Sequence, residues 1–266
     1  MKLWPVNHAA LTELVVARPV GMTQARTDHV VSVVVPARNE AGNIESIVER
    51  TPQMGARTEL IFVEGSSSDD TYEEIERVIG EHPDAGIMLL RQPGEGKGDA
   101  VRHAFAHASG DVLMILDAEM TVAPEELPRF YRAIADGTAE FVNGVRLVYP
   151  MQSEAMRLLN YLGNKLFGVV FSWILRQPVK DTLCGTKVLT RAAYDTIAAN
   201  RSYFGDFDPF GDFDLLFGAA KSNLKIVDLP VRYRDRTYGT TNIDGWRHGA
   251  LLLRMAVFAA RKLRFV

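Results

Sequence analysis

The first half of the chain alternates four times between short, mainly apolar runs and segments with helical spacing of apolar residues. The apolar runs, which are rich in β-branched residues, occupy residues 30–35, 59–64, 86–90 and 112–116. The last of them is apolar throughout, which is typical of a strand buried on both faces. The pattern predicts an α/β fold with a mostly parallel central sheet and helices on both faces.

Size and composition indicate one large domain. The chain has 266 residues, 47% of them hydrophobic, which is enough for one substantial core. Its net charge of −3 gives no general attraction to nucleic acid. Cys184 is the only cysteine, so a disulfide framework is excluded, and a cytoplasmic location is expected. We expect an N-terminal extension over residues 1–29 without a signal peptide, a main domain over 30–245 and a basic helix over 246–266.

The second half of the chain has a less regular pattern. Strands are predicted at residues 140–148 and 224–233, and helices at residues 153–175, 213–222 and 246–266. The apolar stretch within residues 153–175 is interrupted by Asn160, Asn164 and Lys165, so no membrane span is predicted.

An acidic pair stands where the fourth apolar run ends. Asp117 follows the run directly, and Glu119 comes two residues later. In open α/β sheets ligands bind at the carboxyl ends of the strands, so both carboxylates are expected at that edge. Hard oxygen ligands suit Mg²⁺ or Mn²⁺, which can also hold a diphosphate. The pair therefore predicts a site for a metal and a nucleotide-sugar, and the alternative is an acidic turn with Glu119 in solvent.

Residues 94–98 form a glycine-rich loop before a predicted helix. Its glycines allow backbone N–H groups to approach an anion, and Lys97 adds a positive charge. The loop lacks the Gly-Lys-Ser/Thr ending of a Walker motif. It predicts a phosphate contact by Lys97, and a flexible turn is the alternative.

The closing helix carries Arg247, Arg254 and Arg261 at intervals of seven residues, which places them on nearly one face. Beside their apolar neighbours they could rest on anionic lipid headgroups, giving a peripheral membrane contact. The alternative is a basic helix packed on the domain with its arginines reaching solvent.

Seven short segments together resemble the family-2 glycosyltransferases of the GT-A fold, in particular the polyprenyl (dolichyl) phosphate mannosyl- and glucosyltransferases. In chain order they are residues 33–40, 63–71, 94–104, 110–125, 144–146, 181–187 and 229–243. Their order and spacing are far more specific than any one segment. The resemblance implies a nucleotide-sugar donor and a bound Mg²⁺ or Mn²⁺.

The chain departs from the family's pattern at several places. Glu119 and Glu64 stand where the family usually has Asp, and Asn242 stands where the lipid-phosphate enzymes often have Lys. The membrane-anchoring helices of some relatives are not predicted here. The Asn242 difference and the lack of anchoring helices weaken the case for a lipid phosphate acceptor, but they leave the nucleotide-sugar donor untouched.

The resemblance also implies roles for individual residues. Nucleotide contacts are expected from Pro36, Arg38, Glu40, Val63, Glu64, Lys97, Ala118, Arg146 and Arg236. Asp117 and Glu119 are expected to bind the metal, and catalytic roles are expected for Asp117, Arg236 and Asp214. Arg presents a planar fork that suits phosphate oxygens, whereas Arg234 is expected at the plain surface.

Asp212 and Asp214 raise the question of a catalytic base. A hydroxyl acceptor needs a carboxylate to take its proton, and Asp214 is then the first choice. A phosphate monoester is already anionic near neutral pH and needs less help.

We therefore expect an inverting glycosyltransferase that moves a hexose from a GDP- or UDP-sugar to polyprenyl phosphate. The first alternative acceptor is a hydroxyl of a growing glycan, and the second alternative is a nucleotide-binding protein without turnover. The base and the sugar of the donor stay open.

Overall fold

A computed structural model of the chain describes residues 26–149, 158–204, 211–236, 238 and 245–264. The predictions for most of the N-terminal extension, for the first residues of the helix at 153–175 and for Asn242 lie outside these residues.

A seven-stranded sheet lies at the centre of the described structure, in the order β3-β2-β1-β4-β6-β5-β7. The strands are β1 (Val30–Ala37), β2 (Arg57–Glu64), β3 (Ile87–Arg91), β4 (Val112–Ile115), β5 (Phe141–Val145), β6 (Lys187–Thr190) and β7 (Ile226–Pro230). The first four strands are mutually parallel, as are β5 and β7, whereas β6 runs antiparallel between β4 and β5. The predicted mostly parallel α/β sheet is confirmed.

Helices cover both faces of this sheet. They are α1 (Ile44–Arg50), α2 (Thr71–Glu81), α3 (Lys97–His107), α4 (Leu127–Ala135), α5 (Leu158–Leu175), α6 (Arg191–Ala199), α7 (Asp212–Lys221) and α8 (Gly245–Ala259). Buried side chains of α1, α2 and α4 form one core with one face of the sheet, and those of α3, α5, α6, α7 and α8 form another. The sheet is therefore the middle of three layers.

The apolar runs form strands because both faces of the sheet are covered. In β1, Val33 and Val35 enter one core and Val34 enters the other, in the two-residue period of a strand. All three are fully buried. A strand buried on both sides needs this continuous apolar pattern, which is why it could be recognised in the sequence.

Several elements are shorter than predicted. β5 ends at Val145 and β7 ends at Pro230, whereas the predicted strands extended to residues 148 and 233. The first helix, α1, ends at Arg50. Thr51 has an extended conformation, with ψ of 114°, because Pro52 follows it and disfavours the helical region for its neighbour.

The closing helix packs on the domain. Leu252, Met255 and Ala256 of α8 are buried in the second core, and α8 lies against α5. A π-helical turn over Ala260–Arg264 follows it. None of the helices in the described part of the chain combines the length and apolarity needed to cross a bilayer.

Candidate donor and metal site

The two acidic residues leave β4 through a tight turn at the carboxyl edge of the sheet. β4 ends at Ile115, and the Met120 N–H donates to the Asp117 carbonyl at 3.1 Å. Met120 closes the turn with φ of +54°, in the left-handed region. Asp117 and Glu119 are partly exposed, whereas Ala118 between them is buried, so a nucleotide contact by Ala118 would come from its backbone.

Lys97 of the glycine-rich loop lies directly on Asp117. Its Nζ is 2.5 Å from Asp117 Oδ1, and Gly96 with φ of +80° precedes it at the start of α3. Burial disfavours both charges, yet their attraction outweighs it, so the pKa of Lys97 is raised and the pKa of Asp117 is lowered. Both groups are therefore charged at neutral pH. The loop brings Lys97 into the site, and its contact with phosphate stays a prediction.

A further ion pair continues this line of charges into the interior. Asp212, the first residue of α7, lies 3.9 Å from Lys97 Nζ and 3.3 Å from Lys187 Nζ. The Lys187 side chain is fully buried and donates to the Cys184 carbonyl at 2.5 Å. Negative and positive groups thus alternate inward from Asp117, which offsets part of the cost of burying them. Sequence reasoning missed Lys187, although a lysine at the start of a buried strand is itself an unusual signal.

Glycines allow the elements of the site to approach closely. A Cβ on Gly98 or on Gly211 would collide with the backbone of the other, and Gly211 has φ of +74°. A Cβ on Gly185 would overlap the Asp117 carboxylate and the Lys97 ammonium. Only glycine fits at these three positions without displacing the neighbouring groups.

Glu119 is held on the other side of the turn by Arg236. Arg236 Nη2 donates to Glu119 Oε2, and Nη1 lies 3.7 Å from Glu40 Oε1. Thr121 Oγ1 donates to Glu119 Oε1 at 2.9 Å, and the Thr121 carbonyl accepts from the Arg234 N–H. Burial raises the pKa of Glu40 although Arg236 opposes the shift. The structure thus brings together three predicted site residues, Glu40, Glu119 and Arg236. Arg234 is exposed, as expected.

The expected nucleoside contacts lie at the carboxyl ends of β1 and β2. Pro36 is paired with Val63 in the sheet, and Arg38 is exposed just beyond it. The buried Glu64 accepts from the Ser67 N–H at 2.5 Å. The Val63 side chain is fully buried in the core, so a nucleotide contact by Val63, which stays a prediction, would come from its backbone.

Tyr238 covers the start of α1 beside this region. Its ring packs so closely on Gly42 that a Cβ there would overlap it, and its hydroxyl donates to Asp69 Oδ2 at 3.3 Å. Tyr238 lies within the family-like segment 229–243 and Asp69 lies within 63–71, but no contact between them was predicted.

Arg146 is engaged by Asp181. Its Nε and Nη2 donate to the two carboxylate oxygens at 2.7 and 2.9 Å, and its N–H donates to Oδ2 at 3.1 Å. Asp181 Oδ1 also accepts from the Leu183 N–H, and the Asp181 side chain is fully buried. The pair anchors the loop that leads to Lys187. A phosphate contact by Arg146 stays a prediction, because this structure directs much of the guanidinium to Asp181.

Asp214 faces a different neighbour from Asp212. The Arg201 Nε donates to Asp214 Oδ2 at 3.0 Å, whereas Asp212 lies beside Lys97. Residues two apart in a helix point to nearly opposite sides. The structure therefore brings Asp212, and not Asp214, to the Lys97–Asp117 pair, and a base role for Asp214 stays a prediction.

The residues at this edge fit a divalent cation that arrives with its substrate. The described residues include no group of three or more His, Cys, Asp or Glu side chains arranged for a metal ion. Mg²⁺ in nucleotide enzymes commonly binds through one or two carboxylates, with phosphate oxygens and water completing its shell. Asp117 and Glu119 supply such a pair of hard oxygen ligands, and Lys97 and Arg236 supply charge for a diphosphate.

The fold defines the class of protein as GT-A. A crystal structure of glucosyl-3-phosphoglycerate synthase from Mycobacterium tuberculosis, in complex with Mn²⁺, UDP and phosphoglyceric acid, matches with a TM-score of 0.65. The match covers 90% of this chain and 80% of that one at 19% identity, so it shows the fold alone. The sequence profile of Glycosyl transferase family 2 matches residues 32–202, and the chain belongs to that family.

Three named relatives are 26–30% identical to the chain over the aligned residues. Glycosyltransferase AglJ of Haloferax volcanii is 28% identical, over 85% of this chain and 70% of its own. Dolichol-phosphate mannosyltransferase of Pyrococcus furiosus is 26% identical, over 81% and 59%. Undecaprenyl-phosphate 4-deoxy-4-formamido-L-arabinose transferase of Enterobacter sp. strain 638 is 30% identical, over 85% and 66%. The chain therefore spans between a half and three quarters of the length of these relatives.

The buried pair of Asp181 and Arg146 gives a test of stability. Asp181→Asn keeps the shape but leaves the Arg146 charge uncompensated, so the free energy of unfolding should fall by about 3–5 kcal/mol. Burial opposes ionisation of Asp181, but Arg146 outweighs it and lowers the pKa of that carboxyl. The stabilisation is thus full at neutral pH and is lost as pH falls below about 4, through the lowered pKa.

Urea unfolding at pH 7 and at several lower pH values measures both effects. Arg77→Ala is the control, because its ion pairs are exposed and should contribute no more than about 1 kcal/mol. A loss below 1 kcal/mol for Asp181→Asn at pH 7 would show that the pair does not anchor the loop.

Proposed function

We propose that the chain is an inverting, metal-dependent hexosyltransferase that uses a GDP- or UDP-sugar and transfers its hexose to polyprenyl phosphate. The reaction would take place in the cytoplasm, at the inner face of the membrane. The observation that carries the proposal is the pairing of Asp117 with Lys97 and of Glu119 with Arg236 at the carboxyl edge of the sheet. A metal–diphosphate complex needs both signs of charge in one place, and this edge offers them.

The donor side of the reaction uses the residues around this turn. Asp117 and Glu119 would hold Mg²⁺ or Mn²⁺, which supplies Lewis-acid stabilisation to the departing diphosphate. Lys97 and Arg236 would bind phosphate oxygens that gain negative charge as the glycosidic bond breaks. Thr121 would keep Glu119 oriented through its hydrogen bond.

The nucleoside would lie along the carboxyl ends of β1 and β2. Glu64 is buried beside the exposed Arg38, and a carboxylate there can accept from ribose hydroxyls or from a base N–H. Tyr238 bounds the same region from the late loop, and Glu40 bounds it from the turn before α1. These groups would bind a nucleoside diphosphate with its phosphates towards Asp117.

The acceptor side is supported by the relatives that transfer sugars to dolichol phosphate and undecaprenyl phosphate. A phosphate oxygen is already a competent anion, so it can attack the anomeric carbon in line without a base. Asp214 is directed at Arg201, and this position favours the phosphate acceptor over a hydroxyl, which would need a base beside the attacking oxygen to take its proton.

Transfer to lipid is the direct test. Purified protein, polyprenyl phosphate, Mn²⁺ and radiolabelled GDP- or UDP-hexoses should yield a labelled lipid, and Asp117→Asn should lower the rate by about a thousandfold. Asp136→Asn, an exposed carboxylate beyond α4, is the matched control and should keep the wild-type rate. A parallel reaction contains a glycan with free hydroxyls. If label appears only on that glycan, the acceptor is a hydroxyl and not the lipid phosphate. No transfer from any common donor to either acceptor would overturn the proposal.

The surface of α5 and α8 supports a membrane location. Leu166, Val169 and Trp173 of α5 are 64%, 70% and 42% exposed, and Leu253 and Val257 of α8 are 60% and 46% exposed. Within each helix these residues follow helical spacing, so each helix exposes an apolar stripe. Neighbouring large apolar side chains exposed on two packed helices mark a binding surface rather than scattered surface residues.

The charged side chains within the two helical segments are all positive. Lys165, Arg176, Arg254 and Arg261 are exposed, and neither α5 nor the segment 245–264 contains an Asp or Glu. In a chain whose net charge is −3, this concentration of positive charge is local. Apolar side chains flanked by Lys and Arg fit a bilayer surface with anionic headgroups.

Binding to vesicles tests this surface. The protein should sediment with phosphatidylcholine vesicles that contain phosphatidylglycerol, and Leu253→Glu with Val257→Glu should weaken that binding at least about tenfold. Met88→Glu places a single glutamate at an exposed apolar residue of the edge strand β3 and should bind as wild type. Equal binding by wild type and the double variant would exclude this surface.

A further inference from the structure

Two basic side chains of the candidate site, Lys97 and Arg236, each lie near two carboxylates. Lys97 Nζ is 2.5 Å from Asp117 and 3.9 Å from Asp212. Arg236 contacts Glu119 and lies 3.7 Å from Glu40. In both cases one carboxylate belongs to the proposed metal pair and the other does not.

A metal–nucleotide complex cannot enter while both basic groups keep these positions. A divalent cation shared by Asp117 and Glu119 would stand within a few ångströms of two positive charges, and like charges at such distances repel strongly. Lys97 and Arg236 must therefore move off the two metal carboxylates. Groups that leave one carboxylate in a partly buried site need another acceptor, because an unpaired buried charge is costly.

We propose that Asp212 and Glu40 are positioning residues that receive Lys97 and Arg236 when the metal–nucleotide complex takes Asp117 and Glu119. The inference rests on the proposed function and deepens it. Each basic group would keep one carboxylate partner throughout, and in its second position it would face the diphosphate oxygens. Lys97 and Arg236 thus balance the negative charges of Asp117 and Glu119 before the metal and the donor bind.

Asp212 and Glu40 are held in place independently of the groups that they receive. The buried Lys187 lies 3.3 Å from Asp212 and is itself fixed by the Cys184 carbonyl. Glu40 accepts from Asn43 Nδ2 at 2.8 Å, and both acids are more than nine-tenths buried. They can therefore remain in position while the longer, more flexible side chains move.

Strong coupling between metal and nucleotide follows from this arrangement. The metal alone must displace Lys97 and Arg236 with no phosphate to hold them, so it should bind weakly. The nucleoside diphosphate draws both basic groups away from Asp117 and Glu119, so each ligand should strengthen the binding of the other.

Binding of Mn²⁺, measured by calorimetry and by the electron paramagnetic resonance of free Mn²⁺, tests the inference without any turnover. For wild type, UDP or GDP should tighten Mn²⁺ binding at least about tenfold. Lys97→Met should tighten the binding of Mn²⁺ alone by about tenfold and weaken nucleotide binding. Asp212→Asn and Glu40→Gln should each weaken Mn²⁺ binding by about tenfold, both with nucleotide and without it, because Lys97 and Arg236 must leave the metal carboxylates in either case.

Asp195→Asn, an exposed acid on α6, is the control and should match wild type in every titration. Asp212→Asn tests the acceptor of Lys97, and Glu40→Gln tests the acceptor of Arg236. If Asp212→Asn does not fold, Glu40→Gln still tests the inference. Wild-type coupling together with unchanged binding in Lys97→Met and in a folded positioning variant would overturn the inference and leave the proposed function standing. A wild type that binds no Mn²⁺ even with nucleotide would overturn both.

Discussion

The ion pair between Lys97 and Asp117 is the contact on which the rest of the site depends. It joins the start of α3 to the turn after β4, and Asp212 and Lys187 extend it into the interior. Four charges at the edge of an apolar core are tolerated because their signs alternate and their geometry is close. Such a chain of charges holds loops from distant parts of the sequence in one arrangement before any ligand is bound.

The topology of the sheet explains why these loops meet. β6 runs antiparallel between β4 and β5, so its first residue, Lys187, lies at the same edge as the carboxyl end of β4. The loop before β6 then passes over the turn, where Gly185 leaves room for Asp117. The buried pair of Asp181 and Arg146 fixes the other end of that loop. Structural and ligand-facing charges are therefore parts of one continuous network.

Sequence alone was sufficient for features that depend on local pattern. The strands of the first half, the position of Asp117 and Glu119 at the sheet edge, and Lys97 in a glycine-rich loop all follow from short-range spacing. Features that depend on tertiary pairing were out of reach. No local signal shows that Asp212 turns to Lys97 while Asp214 turns to Arg201, or that Arg146 is directed to Asp181.

The most direct test of the proposed function is a crystal structure grown with Mn²⁺ and UDP or GDP, recorded where manganese scatters anomalously. We expect an anomalous peak shared by the Asp117 and Glu119 carboxylates and the diphosphate, at metal–oxygen distances of about 2.0–2.2 Å. The proposed function would be contradicted if crystals at saturating ligand showed no anomalous peak at this edge and Asp117 and Glu119 were still paired with Lys97 and Arg236.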